Sequence, residues 1–146
     1  MDMLTVEQVI TFHKQVMKTD GGDDRLLSEA NLHQIVFSVN RIESVHKRAA
    51  LAFFSLIAYP AFRDGNSCTA VLVAEMILLK TGYKLEDNDA DMTTLVKGIA
   101  SFTVEQEDVE EWLRSHYKKT SDHISFLPII SMLYIRINLL VNNMIN

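Results

Sequence analysis

Cysteine, proline and glycine are scarce in this 146-residue chain, numbering one, two and five. A single cysteine, Cys68, excludes an internal disulfide and fits a reducing compartment. With so few breakers the chain has little punctuation, and it reads as mostly helical. Strand signals are also poor: alternation never persists, and the β-branched residues fall inside longer helical patterns. Basic charge is in deficit, with 14 Lys and Arg against 19 Asp and Glu, a net charge of -5. That balance argues against nonspecific nucleic-acid binding, which needs a basic face. The small basic clusters, Lys47 with Arg48 and Arg114 with Lys118 and Lys119, read as solvated helix faces. The one long apolar run, Ile124 to Val141, carries Pro128, Arg136 and Asn138 and is short for a membrane span. The start, Met1 to Val9, lacks the basic residues and apolar stretch of a signal peptide. The expectation is a cytoplasmic chain with neither a membrane nor a nucleic acid as partner.

A hydrophobic content of 48% fits one globular domain with a single core. Neither low-complexity sequence nor an internal repeat interrupts it. Thr5 with Gln8 forms a capping-box pattern for a first helix, whose apolar face holds Val6, Val9, Ile10, His13, Val16 and Met17. Gly21 and Gly22 end it. Ser28 caps a second helix through Val39, burying Leu32, Ile35 and Val36. A third runs from Ser44 to Tyr59 and must stop before Pro60. Its centre, Ala49 to Phe54, is apolar on nearly every side. A fourth covers Ser67 to Lys80, with Gly82 as its stop. Tyr83 to Ala90 reads as a loop, and Asp91 to Ala100 as a fifth helix. Thr103 with Gln106 marks a capping box for a sixth helix to Tyr117, acidic at its start and basic at its end. Ser121 to Ser125 is a linker, and Pro128 opens a last helix.

The segment Phe62 to Thr69 stands out. It lies between two apolar helices, and Asn66 is a good N-cap residue for the second. The first amides of that helix would favour a phosphate or carboxylate. Long helix, Phe62-Arg63-Asp64-Gly65-Asn66, then helix resembles the Fic/Doc family, in particular its Doc (death-on-curing) branch of toxin–antitoxin toxins, whose motif is H-x-F-x-D-x-N-K-R-T. Other features support the resemblance: Leu4 to Val9 with His13, Gly21-Gly22 followed by Leu27 to Leu32, Lys47 to Ala50, Thr81-Gly82-Tyr83, and the pattern from Leu95 to Leu113. It covers roughly residues 4 to 117.

The resemblance implies an all-α bundle of six to seven helices, with a central buried pair flanking the motif turn. It implies a Fic/Doc-like domain over residues 1–120 and an additional apolar helix within 121–146. In the family the motif histidine is the general base, the acidic residue holds Mg2+, and the asparagine and helix amides bind anion. Basic residues after the asparagine bind phosphate. Members transfer AMP, or in Doc a phosphate, from ATP to a protein hydroxyl. Carried over, Phe62, Asp64, Gly65, Asn66 and Ser67 form the anion or nucleotide site, with Phe62 also the core anchor and Asp64 also the metal position, while Thr69 keeps its place in the helix. The histidine position is Pro60, the lysine position Ser67 and the arginine position Cys68. Shifting the alignment by one residue puts Tyr59 at the histidine position, but a phenol with a pKa near ~10 is a poor base. Losing a general base alone removes about 10²–10⁴-fold in rate.

The implied function is therefore binding, to an antitoxin-like or other protein or to nucleotide, without transferase activity. The alternative is an active AMP- or phosphate-transferase using ATP and Mg2+, with a base from elsewhere. Asp64 is read either as a magnesium ligand or as a turn aspartate bonded to backbone amides. Cys68 is read either as a thiol activated by a helix N-terminus or as a small residue packed in the first turn. His13, His33, His46, His116 and His123 show no metal-ligand spacing, and His13 reads as a packed, hydrogen-bonded histidine. The last helix, with Phe126, Ile129, Ile130, Leu133, Ile137, Leu140 and Val141, completes the core or forms a homodimer seam over residues 124–143. It lacks the glutamate by which some Fic proteins inhibit themselves.

Overall fold

A computed structural model describes residues 2–86, 92–120 and 136–137. The described residues contain six helices and one small antiparallel sheet: α1 (Val6–Asp20), α2 (Glu29–Asn40), α3 (Val45–Ala58), α4 (Asn66–Lys80), β1 (Tyr83–Leu85), α5 (Thr93–Ala100), α6 (Gln106–His116) and β2 (Tyr117–Lys119). The all-α expectation holds in this coarse form. None of the described helices is long and apolar enough to cross a membrane.

The helix ends follow local chemistry. Thr5 Oγ1 accepts from the Gln8 amide at 3.1 Å, and Gln8 Oε1 accepts from the Thr5 amide at 3.0 Å. This capping box satisfies two of the donors a helix start leaves free. Ser28 Oγ does the same for the Asn31 amide at 3.1 Å. α3 ends at Ala58, with Tyr59 as its cap, where Pro60 forbids continuation.

α3 and α4 form the central layer. Residues Cys68 to Leu79 of α4 are all buried, so this helix has no solvent face. A helix apolar all round belongs inside a core. α3 packs chiefly on α4 and α6, while α1 and α2 cover the other side. Ala49, Ala50, Ala52 and Phe53 are fully buried at the α3 centre. Small side chains there let the neighbouring helices approach closely.

Several expectations are corrected. Residues 83–85 are a strand and not a loop: they pair with 117–119 in the register Tyr83–Lys119, Lys84–Lys118 and Leu85–Tyr117. Tyr117 accordingly begins β2, and α6 stops at His116. Three-residue strands whose partner lies more than thirty positions away leave no alternation to read, because pairing supplies their stability. The α6 start is also displaced. Asp108 Oδ2 accepts from the Glu105 amide at 2.9 Å. Thr103 instead donates its hydroxyl to the Gly98 carbonyl at 3.2 Å. The chain can fold back there because Gly98 has no Cβ; one added would lie 2.2 Å from Val104 Cγ2.

Arg48 is not on a solvated face. It is buried, with Nη2 donating to the Asp2 carbonyl at 2.7 Å and Asn40 Oδ1 at 2.8 Å, and Nη1 to the Ile42 carbonyl at 3.3 Å. Asn40 also exchanges two 2.8 Å bonds with the Leu4 backbone, so the pair staples the segment before α1. Arg114, Lys118 and Lys119 are exposed, as a solvated face requires. The linker at 121–125, His123, Asp91 and nearly all of the last helix lie outside the described residues.

Candidate functional site

The turn between α3 and α4 is held by its neighbours through backbone bonds. The Ala61 carbonyl accepts from Leu27 and Ser28 amides at 2.7 and 3.1 Å, and the Arg63 amide donates to the Arg25 carbonyl at 2.9 Å. Between them Leu26 and Phe62 form an antiparallel bridge. The segment entering α2 thus lies along the turn as a short pseudo-strand.

Phe62 is buried, and the ring of His13 stacks on it. His13 Nε2 lies 2.8 Å from the Asp64 carbonyl oxygen. Since that oxygen can only accept, Nε2 carries the proton. Burial pulls the His13 pKa below its ordinary value, while the Asp64 carbonyl and the Asp24 and Asp64 charges partly oppose that. The first-helix histidine expected to be a packed side chain is one, yet its partner is the turn itself. Its helical spacing places it on the apolar face; no sequence signal identifies the turn as its contact.

Asn66 was expected to cap α4, and it does not. Gly65 occupies the cap position with φ 81°, and Asn66 is the first helical residue. A positive φ favours glycine, and a Cβ at Gly65 would press on Met17 Cε at 3.1 Å and Sδ at 3.2 Å. With the cap position filled, the Asn66 amide turns back on Phe62. Its Oδ1 accepts from the Phe62 amide at 3.2 Å and its Nδ2 donates to the Phe62 carbonyl at 2.8 Å. Both backbone groups of Phe62 are thereby clamped by one side chain. No side chain caps the start of α4, and its first backbone bond runs from the Thr69 amide to the Gly65 carbonyl at 3.1 Å.

Asp64 is exposed, and its Oδ2 accepts from the Asp23 amide at 2.9 Å. It ties the α1–α2 connection to the turn through a long-range bond, not the local bond of a turn aspartate to its own next residues. Asp23 in turn holds Arg25 through a fork of 2.7 to 3.1 Å, and Arg25 keeps the Asp23 carboxyl below the usual carboxylate range. Among the described residues no group of three or more His, Cys, Asp or Glu is placed to hold a metal ion.

Cys68 is fully buried, and burial, with a smaller push from Asp20, raises its thiol pKa to about 11. The activated-thiol reading is therefore overturned: desolvation outweighs the helix N-terminus, and the neutral thiol is the packed form. Ser67 is half-buried and Pro60 exposed. Thr69 is buried, and its hydroxyl has no partner among the described residues.

The sequence reading missed a second polar cluster. Glu75 is buried in α4, accepts the Tyr117 hydroxyl at 2.5 Å, and pairs with Arg136 Nη2 at 3.1 Å. Burial, then the Glu75 charge, pushes the Tyr117 phenol strongly upward. A lone carboxylate within the Thr69 to Leu79 apolar run was the available signal.

A nucleotide site with magnesium asks for a carboxylate, phosphate-clamping cations and several waters. The motif positions offer one carboxylate already accepting a backbone bond, a half-buried serine and a neutral buried thiol, with the exposed Arg63 as a cation beside them. These residues do not fit that group. No family model matches the chain, and no curated protein matches it.

Proposed function

We propose that this chain is a degenerate member of the Fic/Doc family, without transferase activity, that works in the cytoplasm by binding a protein such as an antitoxin-like chain. The observation that carries the reading is the division of labour at the turn. The side chains that match the Fic/Doc pattern are engaged in holding the turn's own shape: Asn66 on Phe62, Asp64 on Asp23, Phe62 on His13. None is left as a base, and Pro60, Ser67 and Cys68 bring no charge. Beside it the backbone gathers exposed apolar side chains, Leu26, Leu27 and Tyr59, with Leu27 57% and Tyr59 58% exposed. Large apolar side chains grouped at a surface are the usual core of a protein interface. The net charge of -5 favours protein over nucleic acid as that partner.

The test has two arms. The purified chain, given Mg2+ and ATP labelled at either the α- or the γ-phosphate, should label no protein in a lysate. It should also show no saturable heat with millimolar nucleotide. Labelling abolished by Asp64→Ala would overturn the reading in favour of an active AMP- or phosphate-transferase. Co-expression with the product of the neighbouring gene should give a complex on gel filtration, lost on Leu27→Asp. A complex that forms equally well with Leu27→Asp would place the interface elsewhere, for instance on residues 124–143, where the same variant leaves a homodimer intact.

A further inference from the structure

At the other end of the α3–α4 pair lies a cavity of ≈ 170 Å³. Arg48 near the start of α3 and Lys80 at the end of α4 both line it. Ten residues of α3 separate Arg48 from Ala58, so at 1.5 Å per residue the cavity lies roughly 15 Å or more from the motif turn. It is a different place from the site above, and nothing in the reading of that turn bears on it.

The charge balance of this cavity is unusual. Arg48 is only 4% exposed, and a buried charge is normally paired. Yet its three hydrogen bonds go to neutral oxygens, the Asp2 and Ile42 carbonyls and Asn40 Oδ1. No carboxylate of the described residues forms a salt bridge with it. A guanidinium has five N–H donors, so donors remain beyond those three bonds. The rest of the lining that matters is apolar: Met3, Leu4, Met76 and Ile77. A buried guanidinium thus borders apolar side chains in one cavity. The space is several times what a single water needs and has room for a short-chain carboxylate.

We propose that this cavity binds a small carboxylate with a short apolar tail, its oxygens toward Arg48 and its tail against Met3, Leu4, Met76 and Ile77. A carboxylate supplies the missing counter-charge through the geometry a guanidinium recognises best. Inorganic phosphate is the poorer fit, because some of its oxygens would face the apolar wall without donors. Asp2 also lines the cavity. Its carboxylate opposes an anion, while its backbone carbonyl holds Arg48.

Calorimetry and methyl NMR on the full chain test the proposal, with butyrate as probe and inorganic phosphate as comparator. Butyrate should saturate with a dissociation constant of about a millimolar, and its shifts should centre on Leu4, Met76 and Ile77. Ile77→Phe fills the cavity and should weaken butyrate at least about tenfold. Asp2→Asn removes the opposing charge, keeps the backbone carbonyl, and should tighten butyrate about two- to threefold. This second variant carries the test if Ile77→Phe fails to fold, and a purely structural Arg48 predicts no change in it. Absence of saturation by about 20 mM, tighter binding of phosphate than of butyrate, or shifts centred elsewhere would overturn the proposal.

Discussion

His13 of α1 stacks face to face on Phe62 of the α3–α4 turn, ring centroids 3.6 Å apart and planes within 11°. The same imidazole reaches the Asp64 carbonyl through Nε2 at 2.8 Å. One side chain thus supplies both an aromatic contact and a hydrogen bond to a turn otherwise fixed by backbone pairing with the segment before α2. The ring is a strut for the turn. As a base it is poorly placed, because the nitrogen nearest the turn already donates its proton to a carbonyl oxygen.

Removing that strut should loosen the turn without dissolving the core. His13→Ala loses a buried ring and a hydrogen bond and should destabilise the chain by about 2–4 kcal/mol. His13→Phe keeps an aromatic face and should lose only about 1 kcal/mol, since the Asp64 carbonyl sits in an exposed residue that water can reach. Urea denaturation distinguishes the two. Equal losses for both variants would show that the hydrogen bond, and not the stack, holds the turn.

Stability should fall at both ends of the pH scale, for opposite reasons. Burial lowers the pKa of His13 and of His46 below 6.5, so the unfolded chain binds more protons there. Stability is full above pH 6.5 and declines as pH drops below it toward the folded values. For Cys68 the folded thiol value of about 11 lies above the ordinary 9.0, so its contribution is complete below pH 9.0 and is lost as pH rises toward 11. Urea midpoints across this range should therefore peak between the two limbs. His13→Phe should flatten the acid limb in part, leaving the share of His46, and Cys68→Ala should remove the alkaline loss that sets in below pH 10, leaving the share of Tyr117 above it.

The clamp on Phe62 predicts an asymmetry between two small changes. Asn66→Ala leaves both backbone groups of the buried Phe62 without their partner and should lose about 1–3 kcal/mol. Asn66→Asp restores an acceptor for the Phe62 amide but sets a carboxylate oxygen against the Phe62 carbonyl, so it should rescue little of that loss. Asn66→Ala as stable as the parent would mean the turn is fixed by Gly65 and its backbone bonds alone.

How much of this was legible in the sequence depended on whether the cause was local. Thr5 with Gln8, Ser28, Pro60 and Gly82 act on their own few residues, and the helices they bound fall within a few positions of expectation. β1 and β2 exist only through each other, across more than thirty residues, and no local pattern announces them. The turn shows the same split. The residue types of Asp64, Gly65 and Asn66 suggested a constrained, anion-friendly turn, but the bonding directions of Asn66 and Asp64 depend on Phe62 and on the α1–α2 connection. Arg48 misled the reading because a cation beside Lys47 resembles a surface pair, and only tertiary packing turns it inward. Cys68 had two opposed influences on its thiol, a helix start and burial, and sequence cannot weigh them.

Glu75 offers a test of how the buried polar cluster works. Its side chain is 6% exposed and that of Arg136 18%, so water screens the pair poorly. Glu75→Gln leaves the Arg136 guanidinium without its counter-charge and should destabilise by about 3–5 kcal/mol, the usual penalty for removing one partner of a buried pair. Glu75→Met with Arg136→Met replaces both charges with packing atoms and should recover only part of that loss, because the buried Tyr117 hydroxyl is left without its acceptor. A double-mutant cycle with no coupling between positions 75 and 136 would show that the Tyr117 hydroxyl alone engages the Glu75 carboxylate.

Pro60, Ser67 and Cys68 differ in how easily they accept the residues of the Fic/Doc pattern, and burial sets the order. Pro60 is exposed and Ser67 half-buried, so Pro60→His and Ser67→Lys should each shift stability by no more than about 1 kcal/mol. Cys68 is fully buried among apolar neighbours, where its neutral thiol is already the favoured form. Cys68→Arg must bring a permanent charge and a much larger side chain into that space, where the Asp20 charge that reaches Cys68 is a minor influence beside burial. Overpacking alone is worth about 1–3 kcal/mol, and an unpaired buried charge adds several more, enough to unfold a small domain. The triple variant should therefore be insoluble or largely unfolded, whereas Pro60→His with Ser67→Lys should fold and remain inactive with Mg2+ and ATP. A well-folded Cys68→Arg protein, seen as an unchanged urea midpoint, would mean that the first turn of α4 can open toward solvent. ATP-dependent labelling by the folded double variant would show instead that the turn holds a nucleotide once a base and one cation are returned.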